Sequence, residues 1–377
     1  MGLTKYEKKS YNKIVKKYDN LFKTIAKQGQ YCFNKDSHKI FNKDTKKLTK
    51  EEKQKIRKYW NKYLPKIDLS YHRYYIDKTG KFDIRFIPDD IFAGYIDPYL
   101  NNRQIEPGIA DKNYFDIYFK GLNMPKTYLR KINGIYLDKN YQIIDKEKAL
   151  KILLAKQDFI VKPSMASYGG KGIKIFRKAS KEEINEFFNK TTMQNLIFQE
   201  IVMQSMDTAL LHPQSLNTIR IMTLLINNTI EILPAFAFRI GIGNAIVDNA
   251  SFGGIYCKLN SDGTLSNFAY DAFGNKYLKH PDGGEFKQVK INCLTEIYSL
   301  IKKAAQRLPH FRLIGWDIAI DKNYKPIIIE ANLTMSGLDV IETISGPLFG
   351  KYTDLVLDEV FKHPQKAIRS MDISQYV

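Results

Sequence analysis

Three oxygen-bearing side chains in the last quarter of the chain, Asp317, Glu330 and Asn332, have the types and spacing of a site for a hard cation. Asp317 lies in Gly-Trp-Asp-Ile-Ala-Ile-Asp, and the other two lie in Ile-Ile-Ile-Glu-Ala-Asn. The two runs read as antiparallel strands joined by a turn at Asp321-Lys322-Asn323. Side chains at i and i+2 of a strand share a face, so Glu330 and Asn332 point together and Asp317 meets them across the pair. Carboxylates at the end of an apolar run are costly to bury unless something neutralises them. A divalent ion that takes phosphate oxygens as its other ligands would do so, and Mg²⁺ commonly needs only one or two protein carboxylates in such sites. A surface hairpin whose acids face water is the alternative.

A second group suits phosphate. Phe159-Ile160-Val161-Lys162-Pro163 ends an apolar strand in a lysine, and Ser164-Met165-Ala166-Ser167-Tyr168-Gly169-Gly170-Lys171-Gly172 follows before a strand at 173–176. Glycines let backbone N–H groups converge on phosphate oxygens, and Lys162 supplies a point charge. A glycine-rich hairpin without a ligand has the same pattern. It is not the Walker A motif, which needs Gly-Lys-Ser or Gly-Lys-Thr opening a helix. Asn195-Leu196-Ile197-Phe198-Gln199-Glu200 likewise ends an apolar strand in polar groups able to meet an adenine edge. Asp207, seven residues on, is a candidate for a sugar hydroxyl.

A third group suits a transferred or bound anion. Arg220 follows Asn217-Thr218-Ile219, and Arg239 ends the next strand beyond a two-residue Asn227-Asn228 turn. Paired arginines can clamp a carboxylate or a phosphoryl group through bidentate hydrogen bonds. Asp248-Asn249-Ala250-Ser251-Phe252-Gly253-Gly254 is a second glycine loop suited to backbone contact with an anion. The six histidines form no pair at metal-ligand spacing and no Gly-x-Ser-x-Gly elbow occurs, so Ser/His/Asp hydrolysis has no support.

The elements that must position these residues are mostly strands. They are expected at 159–162, 173–176, 195–200, 218–226, 229–240, 314–320 and 326–331, and Phe82–Ile87 alternates as a further one. Helices are expected from Thr49, where Thr49 and Glu52 form a capping box, from Ser180 with Glu183, and over 292–308. Tyr11, Ile14, Val15, Tyr18, Leu21, Phe22 and Ile25 predict an earlier amphipathic helix. The fold class is α+β (α/β) with antiparallel sheets.

The 377 residues carry a net charge of +19, with 44% hydrophobic and 13% aromatic content, ample for a packed core. The charge is uneven: residues 1–66 hold 20 Lys and Arg against 6 Asp and Glu, and the remainder holds 39 against 34. Basic amphipathic helices could lie on an anionic membrane or glycan, or pack their Tyr-rich stripes on the rest of the protein, and the second is favoured. No recognition helix or aromatic RNA motif supports nucleic acid as a partner. Nothing approaches the roughly 20 apolar residues of a membrane span. Cys32, Cys257 and Cys293 are widely spaced and read as reduced thiols of a cytoplasmic protein.

Taken in chain order, these elements resemble the ATP-grasp superfamily. Ala110-Asp111-Lys112-Asn113 and Asn123-Met124-Pro125-Lys126-Thr127 look like its entry into the nucleotide domain. By that resemblance Lys112 and Lys162 are the two ATP-phosphate lysines, and Gly169, Gly170, Lys171 and Gly172 form a mobile loop that closes over the phosphates. Gln199 and Glu200, continued by Ile201 and Val202, match the adenine hinge, and Asp207 stands at the spacing of a ribose-binding acid. Asp317, Glu330 and Asn332 match the magnesium triad. D-alanine–D-alanine ligase is a relative, but Asn-Thr-Ile-Arg, Asp-Asn-x-x-x-Gly-Gly, Ile87-Pro88-Asp89-Asp90 and Asp97-Pro98-Tyr99 look closer to the sugar-transfer-associated ATP-grasp family.

The resemblance implies two α+β subdomains holding ATP between antiparallel sheets. The expected divisions are a basic helical region at 1–66, a small region at 67–110, subdomains at 111–200 and 201–365, and a tail at 366–377. It also implies an ATP- and Mg²⁺-dependent ligase, with Mn²⁺ as a substitute metal. Such an enzyme joins a carboxylate to an amine through an acyl phosphate, here in surface polysaccharide biosynthesis. Arg220 is expected to contact the transferred phosphoryl group, with Arg239, Asn249 and the Gly253 and Gly254 amides beside it and Ser336 bordering the acceptor. A sugar or metabolite kinase on the same ATP site, and a basic module docking an anionic polymer, are the alternatives.

Overall fold

The Thr49 hydroxyl accepts from Glu52 N while the Glu52 carboxylate takes the Thr49 N–H at 2.7 Å, so helix α1, Lys50–Trp60, begins at the predicted capping box. The computed structural model describes residues 45–165, 172–249, 253–364 and 366–367, with Lys9 and Lys13. The helix expected from Tyr11 to Ile25, the loop residues Gly169, Gly170 and Lys171, and most of the 366–377 tail lie outside the described residues.

Helix α2, Leu69–Thr79, is capped by Asp68 and stops at Gly80, which takes the left-handed φ of 67° that a side chain would resist. Between α2 and the sheets, Asp89–Ile91, Phe92–Ile96 and Asp97–Leu100 run as one helical stretch whose middle turn is π-helical. Residues 82–87 do not form the strand their alternation predicts. Asp83 draws Arg85 back on itself through Arg85 N at 2.9 Å and the guanidinium at 2.7 Å, making a turn. Phe86 and Ile87 are buried among helices, and Ile87 N donates to the Glu342 carboxylate instead of to a neighbouring strand. Alternation reported burial here, not sheet pairing.

The first sheet holds β1 Thr127–Ile132, β2 Ile135–Asp138, β3 Ile143–Ile144, β4 Phe159–Pro163, β5 Lys174–Phe176 and β6 Leu196–Gln199, in the order β3-β2-β1-β6-β4-β5. Its pairings are antiparallel. Helices α3, Lys146–Leu154, and α4, Lys181–Lys190, cover one face, where Leu150, Leu153, Ile184 and Phe188 meet Phe159, Val161 and Phe198. The capping box predicted at Ser180 and Glu183 starts α4. Strand alternation then turns Ile160 and Lys162 to the opposite, uncovered face.

The second sheet holds β7 Thr218–Ile226, β8 Thr229–Ile240, β9 Ile255–Leu259, β10 Leu265–Asp271, β11 Lys276–Tyr277, β12 Leu313–Ile320 and β13 Pro326–Asn332, in the order β11-β10-β9-β8-β7-β12-β13. It is buried on both faces. Helix α5, Leu294–Ala305, packs Ile297 and Ile301 against Ile219, Trp316 and Ile318. On the other face α1 and α2, with α6, Leu338–Ser345, and α7, Thr353–Lys362, cover Met222, Leu224, Ala237 and Leu313. The stripe of α1 is therefore core: Trp60 is fully buried, and the Tyr59 and Tyr63 hydroxyls donate to Asp354 and Asp358 of α7 at 2.7 and 2.8 Å. This is the packing reading preferred for the second basic helix. No helix among the described residues is long and apolar enough to cross a membrane.

Candidate active site

The uncovered face of the first sheet and one end of the second enclose a cleft of about 340 Å³, and most of the residues singled out by type and spacing line it. From β4 come Ile160 and Lys162, from β6 and its continuation Gln199, Glu200 and Val202, and from β13 Ile329, Glu330 and Asn332. Arg220 of β7, Arg239 of β8, Asp317 of β12, Lys112, Asp248 and Asn249 complete the polar wall.

The centre of the site is Asp317. It stands opposite Arg220 in one ladder and opposite Glu330 in the other. Its oxygens accept from Arg220 Nε at 2.6 Å, Arg220 Nη2 at 3.0 Å, Arg239 Nη1 at 2.9 Å and Asn332 Nδ2 at 3.3 Å. Burial pushes the Asp317 carboxyl up, but the two guanidiniums outweigh that and hold it well below the usual carboxylate range. Glu330 is paired with Lys112, Nζ to Oε1 at 2.7 Å. Burial, and then the like charge of Lys112, lower Lys162 to about 8, with Glu330 opposing. Lys112 is fixed at its backbone, whose N–H donates to Ser164 O at 3.0 Å at the foot of the first glycine loop.

Asp248, at the start of the second glycine loop, organises this end of the cleft, a role its sequence position does not signal. It accepts from Thr218 N at 2.9 Å and from the Thr218 hydroxyl, and it lies 3.4 Å from Arg239 Nη2. Gly254 serves that loop by close approach, since a Cβ there would sit 2.6 Å from Asp248 O. Neither Gly253, at φ 89°, nor Gly254 lines the cleft. Ser336 also stands behind the wall: its carbonyl accepts from Arg220 Nη1 at 2.6 Å, while Met335 and Gly337 on either side reach the surface of the cleft. Asp97 and Asn101 hold this loop, Asp97 by accepting from Met335 N at 3.1 Å and Asn101 by donating to Leu333 O at 2.8 Å. An Asp-Pro motif in a buried helical stretch carried no signal for that role.

At the hinge end Glu200 accepts from Lys126 N at 2.9 Å, and the Gln199 Oε1 is buried without a partner, so one acceptor is left for a donor from a ligand or solvent. Ile201 is half-buried and does not line the cleft. Asp207 is not brought to the cleft. It lines a separate cavity of about 30 Å³ with Lys290, Cys293 and Tyr324. Bonds from Ser205 N to Ile320 O at 2.8 Å and from Lys322 N to Met203 O at 2.7 Å tie its segment to the far end of β12. Spacing from Glu200 could not reveal that turn.

Two carboxylates and the amide oxygen of Asn332 form a hard-oxygen set that fits Mg²⁺ when phosphates supply the remaining ligands. Among the described residues no group of three or more His, Cys, Asp and Glu gathers as a metal cluster, so the protein's share of such a site is small.

Among curated proteins, no relative matches the chain. Solved structures similar to it include the L-amino acid ligase from Bacillus licheniformis, with 15% identity and a TM-score of 0.36, covering 70% of this chain and 48% of that one. D-cycloserine synthetase DcsG has 13% identity and a TM-score of 0.40, covering 67% and 70%. The D-alanine–D-alanine ligase from Coxiella burnetii has 11% identity and a TM-score of 0.37, covering 69% and 60%. The chain thus spans about half the length of the Bacillus protein. The family model described as sugar-transfer associated ATP-grasp matches residues 93–348, the span that holds both sheets and the whole cleft. The chain belongs to the sugar-transfer-associated ATP-grasp family.

Proposed function

We propose that the protein is an ATP- and Mg²⁺-dependent carboxylate–amine ligase. The observation that carries this reading is one cleft in which Lys112 and Lys162 face Asp317 and Glu330, with Arg220 and Arg239 beside them. Lysines suit the phosphates of a nucleotide, carboxylates suit its metal, and a pair of arginines suits a planar anion next to the γ-phosphate. Bound Mg²⁺, held by Asp317, Glu330 and Asn332, would neutralise charge on the β- and γ-phosphates.

An oxygen of the substrate carboxylate attacks the γ-phosphorus, the bond from that phosphorus to the bridging oxygen breaks, and ADP leaves. An amine then adds to the acyl carbon of the acyl phosphate, loses a proton and expels phosphate, leaving an amide. Lys112 and Lys162 offset the phosphate charge. Arg220 directs its remaining N–H bonds at the transferred group while its contacts to Asp317 and Ser336 O hold it in place. Catalysis of this kind is positioning and electrostatic stabilisation.

The family's description supports a sugar-linked acid or amine, and the setting we propose is cytoplasmic assembly of surface polysaccharide precursors. The protein is assigned no nucleic-acid partner.

The test crosses uronic and amino acids with amines and follows ADP and phosphate together. Equal release of both, only when acid and amine are present, is expected. Release of ADP alone with a stable phosphorylated sugar would overturn the ligase reading in favour of a kinase.

A further inference from the structure

The candidate metal site already holds cations of its own. We propose that Lys112 is a built-in stand-in for the divalent ion, so that the ion enters only together with a nucleotide. This rests on the ATP- and Mg²⁺-dependent reading above and extends it to the order of binding.

Each carboxylate of the candidate site is already neutralised from within. Glu330 is met by the Lys112 ammonium at 2.7 Å, and Asp317 by Arg220 at 2.6 Å and Arg239 at 2.9 Å. The lysine is the more enclosed partner of its pair, with 9% of its side chain exposed against 30% for Glu330. Lys162 lines the same cleft and adds a fourth positive group. Asp248 and Glu200 line the cleft too and bring its acids to four, but both are engaged. Asp248 is occupied by Thr218 and Arg239, and Glu200 accepts from Lys126 N. A bare dication therefore meets a cleft whose four acids are already balanced by four cationic side chains, and it must displace the Lys112 ammonium to reach Glu330. Repulsion between these positive charges falls only as the inverse of distance and is weakly screened in a half-buried cleft.

A nucleotide makes the cleft net negative. Its phosphates bring several negative charges to the same place and give the Lys112 ammonium a better partner than Glu330. The exchange needs only rotation of the lysine side chain, because Lys112 N is held by Ser164 O at 3.0 Å and the turn is capped by Asp111, which accepts from Asn113 N at 2.9 Å. Glu330 is then free to face the ion. Asp317 keeps both arginines, so Glu330 is the carboxylate whose partner changes.

The experiment is a titration with MnCl₂, followed by the paramagnetic signal of the free ion, on the full chain without nucleotide and with saturating ADP. Wild type is expected to bind Mn²⁺ weakly alone and at least about tenfold more tightly with ADP. Lys112→Met is expected to tighten nucleotide-free binding about tenfold, Lys112→Arg to leave it weak, and Glu330→Gln in the Lys112→Met background to abolish the gain. Equal Mn²⁺ affinity in wild type with and without ADP overturns the proposal, as does a folded Lys112→Met variant that binds no better. If Lys112→Met does not fold by circular dichroism, Lys112→Gln takes its place, and Mn²⁺ held by ADP alone is subtracted from every ADP titration by a protein-free control. Thermal stabilisation by ADP is measured in parallel. Stabilisation with unchanged Mn²⁺ behaviour sinks only the stand-in role, whereas no stabilisation under any condition removes the nucleotide reading beneath it.

Discussion

Arg220 faces Asp317 across the ladder between β7 and β12, and guanidinium and carboxylate meet at two points, Nε to Oδ1 at 2.6 Å and Nη2 to Oδ2 at 3.0 Å. The residues are 97 positions apart in sequence, and the contact exists only because the sheet places β12 beside β7. Asp317 thus has two duties, as candidate metal ligand and as counter-ion for Arg220 and Arg239.

Asp317→Asn tests both duties. Breaking a buried ion pair from one side leaves the other charge uncompensated and typically costs about 3–5 kcal/mol. The open cleft on one side places this case at the low end, about 3 kcal/mol, read as a lower denaturant midpoint with unchanged slope. Turnover should vanish. Wild-type stability with lost turnover would limit Asp317 to the metal, and full turnover would remove it from the site. Because its folded pKa is depressed, its contribution is present above about pH 4 and is lost as pH falls through the folded value.

Lys162, lowered to about 8 by burial and by Lys112, should make nucleotide binding depend on alkaline pH. The folded chain gives up this proton near 8, whereas the unfolded chain keeps it to about 10.4. The unfolded state therefore binds more protons between those values, and this group stabilises the fold as pH rises across that window. Nucleotide affinity runs the other way, because the ammonium that meets phosphate is lost. Calorimetric ADP affinity should fall up to about tenfold from about pH 7 to about pH 9, and Lys162→Arg should flatten the profile. A flat wild-type profile would contradict the assignment.

Gly254→Ala should damage turnover more than stability. Its Cβ would lie 2.6 Å from Asp248 O, so the Asp248 segment must shift and carry with it the contacts to Thr218 and Arg239. A drop in kcat of about tenfold or more with a small change in Tm is expected. Unchanged kcat would show that Asp248 has no bearing on the chemistry.

Trp60→Ala and removal of residues 1–47 should separate core from appendage. Trp60 is fully buried, and its indole N–H donates to His72 Nε2 at 3.0 Å, so truncation should cost about 3–5 kcal/mol. The deletion stops just before the buried Leu48 and the Thr49 cap, and it should leave ADP-induced thermal stabilisation in place. An insoluble deletion product would place the earlier basic segment in the core as well.

Much of the fold was legible because it is locally encoded. Capping boxes at Thr49 and Ser180 started helices where expected. Asn227 and Asn228 both take positive φ, 50° and 59°, in the two-residue turn between β7 and β8. Period-two patterns located the strands around the cleft to within a residue or two. The same pattern misled at 82–87, where burial under helices mimics a strand, and spacing misled at Asp207, whose segment is turned away by backbone bonds to β12.

Chain order and side-chain type alone determined which residues belong to one site: the lysine that ends the apolar run of β4, the arginines, and the acid–amide triad. Tertiary structure alone decided how those residues neutralise one another, with Lys112 on Glu330, two arginines on Asp317, and Asp248 behind Arg239. The physical reason is range. Periodicity and capping act over a few residues, whereas these pairings follow from a strand order imposed by burying both faces of the second sheet.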